Sequence, residues 1–501
     1  MLSVGRVSSV SRRPAVIAGL AGVCAVALRL PFLHDAPFSD EGGLLVVAGQ
    51  WHGGGPYLYG SLFVDRPPLL LLFFKLSEIF GGLVAVRVLG LGIVLAAVAG
   101  AYRAGARLGG PRGAVLAAIT CAALLADPRL GTREVDAETV GVPLVLLTAV
   151  LALEAVQDRS TRARGWLLTG AGAAGTSALL VKQNLADGLV FAVVLVVLVG
   201  LARPLDLRGL ARGLGRLGLG ALAPLTVALA WSTTSTGPWG LWYSLYAFRF
   251  ASSSYLFGTG SPTRTARLHA LAHAALLSGL VVLVVVCLAT LLARRRDAIT
   301  AALAAMLATE VVGVAGGGYY WSHYLIGLVP ATALLVARCA EVVRREWLVG
   351  LLVGATAVST LVATQAAVAR RDSARLPEVT TLTTWLDAAQ RPGDSAVVLY
   401  GEAALFEESD LRPAYPFLWT LPQRVMDRNL SRLVRTLTGP DRPTFVVVRM
   451  TLDPWGQDPT QRVPHALAAG YDPIANICGD TIYLRIGAVR PRPAPPSCYA
   501  G

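Results

Sequence analysis

Three short stretches of this chain carry the residue types that chemistry needs. The first reads His34-Asp35-Ala36-Pro37-Phe38-Ser39-Asp40-Glu41-Gly42-Gly43, with an acidic pair soon after an apolar block. The second is Asp65-Arg66-Pro67-Pro68-Leu69, and the third is Arg133-Glu134-Val135-Asp136-Ala137-Glu138. Two isolated cations join them: Lys182 in Leu180-Val181-Lys182-Gln183, and His323 in Trp321-Ser322-His323-Tyr324-Leu325. A carboxylate at a water–lipid boundary suits a base that takes the proton of an incoming nucleophile. Cations near headgroups suit a phosphate whose charge must be held.

Each residue also has a plain structural use. Asp40 would cap a helix beginning at Glu41, and Glu41 would orient the loop or touch an acceptor. Asp136 would cap the helix before Thr139, or hold an acceptor or a divalent ion. Arg66 has Asp65 beside it as an ion-pair partner. Lys182 at the end of an apolar helix would snorkel to the interface. His323 sits among Tyr319, Tyr320, Trp321 and Tyr324, as an aromatic belt would have it. The histidines do not fall at ligand spacing from carboxylates, so no metal constellation is read and no cofactor is required, although His34 and His52 flank the Asp40 region and leave a divalent metal open.

The elements that must position these groups are membrane helices. Of 501 residues, 54% are hydrophobic and only 15% charged, where soluble domains carry about a quarter; the mean hydropathy is +0.58. The net charge of +13 does not mark a nucleic-acid binder. Its arginines lie in short runs between apolar blocks, which is how a membrane protein fixes its orientation. Lys75 and Lys182 are the two lysines among 44 basic residues, a composition expected of a GC-rich bacterial genome.

Apolar blocks near 14–33, 81–101, 113–126, 139–156, 166–181, 186–202, 217–233, 269–293, 298–315, 324–338 and 347–367 predict eleven transmembrane helices, most of them near the roughly 20 residues that cross a bilayer. With the N-terminus, which holds Arg6, Arg12 and Arg13, in the cytoplasm, the inner loops hold Arg103, Arg107 and Arg112; Arg159, Arg162 and Arg164; Arg203, Arg208, Arg212 and Arg216; Arg294, Arg295 and Arg296; Arg338, Arg344 and Arg345. The outer loops hold Asp35, Asp40, Glu41 and Asp65, then Glu134, Asp136 and Glu138. The first outer loop, roughly 34–66, passes through an amphipathic stretch at 44–51. The apolar stretch 67–80 that follows it is too short to span and would lie in the interface. An aromatic-rich loop near 232–268, with Arg249, also reads as interfacial, either covering a lipid donor or anchoring the surface.

After about Arg370 the character changes to a small α/β domain on the outer face, with strands near 396–400 and 444–450 and helices near 376–389 and 423–437. The division is thus 1–368 for the membrane part and 369–501 for the soluble part. Cys24, Cys121, Cys287 and Cys339 read as apolar packing residues. Cys478 and Cys498, outside the cytoplasm, are open to disulfide formation.

Taken together, an acidic pair after the first helix, a loop of about two dozen residues and then a basic residue with Pro-Pro-Leu resemble the GT-C glycosyltransferases. The likeness is to the branch of bacterial protein O-mannosyltransferases and the lipid A aminoarabinose transferase. Leu180-Val181-Lys182-Gln183 resembles that family's Lys-Gln element. Trp321 to Leu325, leading to Leu328-Val329-Pro330, resembles its late aromatic-basic motif. So does a last helix leading into a domain that begins Trp385-Leu386 and continues Arg391-Pro392-Gly393-Asp394. Gly42-Gly43 departs from the family, where many relatives carry bulkier residues.

The resemblance implies an inverting transfer of a sugar from a polyprenyl monophosphate carrier to an acceptor outside the cytoplasm: protein, cell-wall glycan or glycolipid. It implies Asp40 as catalytic base and Arg66, Lys182 and His323 as donor-phosphate ligands. It also implies residence in a bacterial plasma membrane. Two rivals stand beside it. A lipid-linked sugar flippase would place ionisable residues in mid-helix, where Glu310 is the main example. A non-catalytic envelope-assembly factor would tolerate loss of Asp40.

Overall fold

The protein's structure, a computed structural model, describes residues 12–52, 54–158, 160–202, 207–258, 262–343, 346–373 and 378–496. Arg6, Arg159, Arg203, Arg344, Arg345 and Cys498, which entered the sequence reading, lie outside them. The chain divides into two compact units, each discontinuous in sequence. One comprises 1–33, 88–226 and 261–367; the other comprises 34–87, 227–260 and 368–501.

The first unit is helical. Among the described residues of the whole chain, seven helices are long and apolar enough to cross a membrane, or eight if the pair Thr263–Leu277 and Leu280–Arg294, bent by 66°, is one span. The bend falls at Ser278–Gly279, where Gly279 takes φ +80. A β-carbon there would meet Thr356 Oγ1 at 2.5 Å.

The helical segment Pro68–Ala126 runs for 59 residues, or about 88 Å at about 1.5 Å per residue, far more than one bilayer crossing needs. Glycines break it. Gly81 and Gly82 have φ of +130 and +62, and Gly110 has φ +61. Gly105 and Gly113 face each other across the Gly110 break, with the β-carbon position of Gly105 only 2.7 Å from the Gly113 carbonyl oxygen. The chain therefore turns back on itself at Gly110, between the two apolar blocks read from sequence. Glycine also lets Thr161–Leu179 and Leu207–Ser232 touch backbone to backbone. A β-carbon on Gly172 would lie 2.0 Å from the Leu217 carbonyl oxygen, and one on Gly220 would lie 1.8 Å from that of Thr169. In lipid, such close approach supplies the dispersion contact that holds helices together.

The second unit holds the first loop, the aromatic segment and the C-terminal domain. The sheet contains β1 (Ser395–Leu399), β2 (Arg412–Pro413), β3 (Phe445–Val448), β4 (Tyr471–Ile477) and β5 (Asp480–Arg485) in the order β2-β1-β3-β5-β4. β1 pairs in parallel with β2 and β3, while β5 runs antiparallel to β3 and β4. The continuous apolar runs of β1 and β3 made them legible. The β4–β5 hairpin was not read, because β4 is polar and turns through Cys478 (φ +55) and Gly479 (φ +96). Cys478 is disulfide-bonded, whereas Cys24, Cys121, Cys287 and Cys339 are free.

The expected helix near 423–437 is two helices, Thr420–Met426 and Ser431–Thr438. Between them Leu430 takes φ +54, and the Asp427 carboxylate accepts the N–H groups of Arg432 and Leu433 and the hydroxyl of Tyr415. Those bonds begin the second helix afresh.

Helix Ala403–Glu408 lies against Ser39–Gly49. A β-carbon on Gly42 would come within 2.8 Å of Ala404 Cα and 3.3 Å of Glu407 Cβ. Burial, helped by the charges of Asp410 and Glu78, pushes the Glu407 carboxyl up to about 7 from an ordinary 4.5. The folded state thus favours the neutral acid. Its contribution to stability is complete below about pH 4.5 and is lost as pH rises through about 7. Thermal unfolding of Glu407→Gln should match the wild type near pH 4 and exceed it near pH 8, as judged by Tm. Equal midpoints at both pH values would contradict the assignment.

Candidate active site

The first loop is fixed by a buried ion pair. Glu41, fully buried, accepts two bonds from Arg87, at 2.7 Å from Nη2 and 3.3 Å from Nε. Arg87 also donates to the carbonyl oxygens of Asp35 (2.6 Å) and Ala36 (3.1 Å). Glu41 Oε2, which accepts from Arg87 Nη2, also accepts the Phe38 N–H at 3.5 Å, with Phe38 the N-cap of Ser39–Gly49. Asp40 therefore does not cap a helix starting at Glu41; it stands in the first turn, its carboxylate pointing elsewhere.

That carboxylate is held at both oxygens. Oδ2 lies 3.2 Å from Arg66 Nη2, and Oδ1 accepts the indole N–H of Trp419 at 2.9 Å. A quarter of the Asp40 side chain stays exposed (25%). Arg66 also donates from Nη1 to Asp65 Oδ1 at 2.9 Å, and Asp65 Oδ2 lies 2.6 Å from Arg249. Two carboxylates and two guanidinium groups thus form one chain: Trp419, Asp40, Arg66, Asp65, Arg249. Tyr59, buried and stacked on Trp231, holds the loop by donating its hydroxyl to the Arg66 carbonyl oxygen at 2.7 Å. The prolines after Arg66 start the helical segment Pro68–Ala126 without leaving an unpaired N–H.

A second cluster lies in the first unit. Asp127 accepts the Arg129 N–H at the start of the turn Pro128–Leu130, and Gly131 closes it at φ +76. Arg29 braces the loop beyond by donating to the carbonyl oxygens of Leu125 (2.9 Å) and Glu134 (3.2 Å). Asp136 caps the helix Ala137–Gln157 through the Thr139 N–H at 3.2 Å. Its other oxygen lies 3.5 Å from His323 Nδ1, which is also 3.5 Å from Glu134 Oε1. Lys182 is buried rather than snorkelling. It pairs with Glu138 and lies 4.6 Å over the Tyr324 ring.

Asp40 and Arg66 are therefore brought together within one unit, and Asp136, Lys182 and His323 within the other. Three carboxylates, Glu134, Asp136 and Glu138, outnumber the two cationic side chains among them. Glu134, Asp136 and His323 each offer one ligand atom, all within 4.8 Å of one another, a donor set that suits a divalent ion. Sequence spacing hid it because His323 arrives from a distant helix start. Glu310, noted as a mid-helix acid, is fully buried and accepts a long contact from Asn184 at 3.5 Å.

A family model described as dolichyl-phosphate-mannose-protein mannosyltransferase matches residues 65–231. No curated protein matches the sequence. Among solved structures, ArnT from Cupriavidus metallidurans bound to undecaprenyl phosphate is similar at TM-score 0.63 and 15% identity, covering 95% of this chain and 99% of that one. The Archaeoglobus fulgidus oligosaccharyltransferase in the apo form gives 0.58 and 12%, covering 87% and 70%. Oligosaccharyltransferase AglB from the same organism, with an inhibitory peptide and a dolichol-phosphate, gives 0.57 and 12%, covering 95% and 74%. The chain thus shares the fold of ArnT and of the oligosaccharyltransferase over nearly its whole length, and its several long apolar helices fit a multi-pass membrane protein.

The Lys182–Glu138 pair yields a stability test. Removing one partner of a buried pair leaves a bare charge and costs about 3–5 kcal/mol, whereas replacing both with apolar groups is close to neutral. Lys182→Met should lower the thermal midpoint of the purified protein strongly, and the added change Glu138→Leu should recover most of the loss. No loss in Lys182→Met would mean that the pair is not buried as described.

Proposed function

We propose that this chain is an inverting glycosyltransferase that moves a sugar from a polyprenyl monophosphate to an acceptor outside the cytoplasm. The observation that carries the reading is the Asp40 carboxylate, partly exposed and held between the Arg66 guanidinium and an indole N–H. The family match to mannosyltransferases using a dolichyl phosphate donor supports it. So does the fold shared with ArnT, solved with undecaprenyl phosphate, and with AglB, solved with a dolichol-phosphate.

The chemistry follows from those groups. A phosphate is already a competent leaving group, so no general acid is needed. Asp40 takes the proton of the acceptor hydroxyl as that oxygen attacks the sugar's anomeric carbon. The bond to phosphate breaks on the opposite face, which inverts the centre. Arg66 and Arg249 have guanidinium forks that match a phosphate, and we assign the leaving charge to them. Asp65 sets the spacing of those two forks. Lys182 and His323, expected at the phosphate from sequence, lie against Glu138, Glu134 and Asp136. We read them as the frame of a carboxylate cluster with a preference for cations. Glu134, Asp136 and His323 would hold a divalent ion, which supplies Lewis acidity when bound. Glu41 orients the loop through Arg87.

We further assign eleven spans, counting Pro68–Ala126 as an interfacial piece followed by two crossings that meet at Gly110, and adding Thr161–Leu179, Asp187–Leu201 and the bent pair as one crossing each. Arginines on alternate connections then put the N-terminus in the cytoplasm of a bacterial plasma membrane. Residues 369–501 follow the last span as an outer domain.

The test compares cells lacking the protein with cells restored by the wild type or by Asp40→Asn at equal expression, profiling polyprenyl-linked sugars and envelope glycans. The wild type should restore a missing glycan. Asp40→Asn should lower its formation by about 10²–10⁴-fold, the contribution of a general base, with the donor lipid accumulating. Full rescue by Asp40→Asn would remove the enzymatic reading and favour an assembly role.

A further inference from the structure

Asp40 is met from the far end of the chain. Trp419 lies in the C-terminal domain, yet its indole Nε1 is 2.9 Å from Asp40 Oδ1, while Arg66 takes Oδ2 at 3.2 Å. Arg66 and Trp419 thus hold different oxygens. A carboxylate gripped at both oxygens has a fixed plane, whereas an ion pair alone leaves it free to turn about its last bond.

The sequence around both residues is shaped for this contact. A β-carbon on Gly43 would lie 2.3 Å from Trp419 Cζ2, 2.9 Å from its Cη2 and 2.5 Å from Ala403 Cβ. The ring therefore sits where any side chain at position 43 would be. Gly42 admits the backbone of Ala404 in the same way, at 2.8 Å. The Gly-Gly pair, a departure from the family pattern, thus becomes the socket for helix Ala403–Glu408 and for the Trp419 ring.

The Trp419 side is pinned too. Gly401 takes φ +82, and a β-carbon there would be 2.6 Å from the Leu418 carbonyl oxygen and 2.9 Å from the Thr420 N. The Thr420 hydroxyl donates to the Tyr400 carbonyl oxygen, and the Tyr400 N–H donates to Gln423 Oε1 at 3.1 Å. The Phe63 N–H, in the first loop, donates to the Pro416 carbonyl oxygen at 3.0 Å. Ring and carboxylate are therefore each held by their own backbone.

We propose that Trp419 is the positioning residue for Asp40, and that the C-terminal domain supplies it through the Gly42–Gly43 socket. This rests on reading Asp40 as the base. The indole N–H bonds to the ionised carboxylate, keeps it charged between turnovers and aims its exposed face at the acceptor. The domain thereby completes the reaction centre rather than only carrying an acceptor surface.

The experiment uses the full chain in lipid nanodiscs for labelling and intact cells for turnover. Trp419→Phe removes the N–H and leaves a ring for the socket. Trp419→3-benzothienylalanine keeps the shape and replaces the N–H with sulfur, and it decides the matter if the phenylalanine variant does not fold. A water-soluble carbodiimide labels the protonated carboxyl, and peptide mass spectrometry reads Asp40 labelling against pH. Loss of a hydrogen bond to the charged form favours protonation, so labelling should persist to higher pH in both variants. Incorporation into the glycan that deletion abolishes should fall about tenfold, the effect of one charge-assisted hydrogen bond. An unchanged labelling profile overturns the positioning role, even if glycan synthesis depends on Asp40. A shifted profile with no deletion-linked glycan keeps the positioning role and removes the transferase reading instead.

Discussion

The Glu41–Arg87 pair is the constraint on which the second unit's chemistry depends. Both side chains are almost wholly out of solvent, where an unpaired charge would be costly. Arg87 offsets that by donating to Glu41 and to two backbone carbonyls of the same loop. One guanidinium thereby fixes the path of residues 35–41 and the start of a helix. Asp40, one residue before Glu41, is left with no structural duty in that network. Its direction is settled by its neighbour, which is why two adjacent acids of similar type end in different environments.

Helix geometry does the rest. Successive residues on a helix point about 100° apart, so Glu41 can face Arg87 while Asp40 faces Arg66 and Trp419. The next two residues then meet the C-terminal domain, and both are glycine. A side chain at either would push away Ala404 or the Trp419 ring. The four-residue run Asp-Glu-Gly-Gly thus holds a partly exposed carboxylate, its anchor and the two sides of a socket. The weak helix propensity of paired glycines, about 1 kcal/mol each, is offset by the packing they allow.

Much of this was legible in the sequence, for identifiable reasons. Hydropathy is a property of contiguous residues, so the apolar blocks and the short stretch that ends at Phe80, just before the Gly81–Gly82 break, could be read directly. The Gly110 turn falls between two of those blocks. The acidic pair and the Arg-Pro-Pro-Leu element are also contiguous, and Asp40 does meet Arg66. What stayed hidden is pairing between distant segments. Nothing near Trp419 marks it as a partner of Asp40, and nothing near His323 announces Glu134 and Asp136. Arg87 looks like any arginine near a helix start. Gly42-Gly43 was the one local sign of a distant contact, visible as an oddity before its cause was known.

The two acid clusters differ in charge balance, and that difference bears on what each can bind. Around Asp40 two carboxylates meet two guanidinium groups, each a planar fork of N–H donors. A phosphate added there would find cations whose partners are already fixed. Around Asp136 three carboxylates meet one lysine and one histidine, and Glu138 Oε2 has no hydrogen-bond donor among the described residues. Added negative charge would be repelled there, while a cation would satisfy oxygens that the fold has buried at a cost. That balance supports our reading of Arg66 and Arg249 as phosphate ligands and of the Asp136 cluster as a cation site, whereas the sequence reading spread its expected phosphate ligands over both.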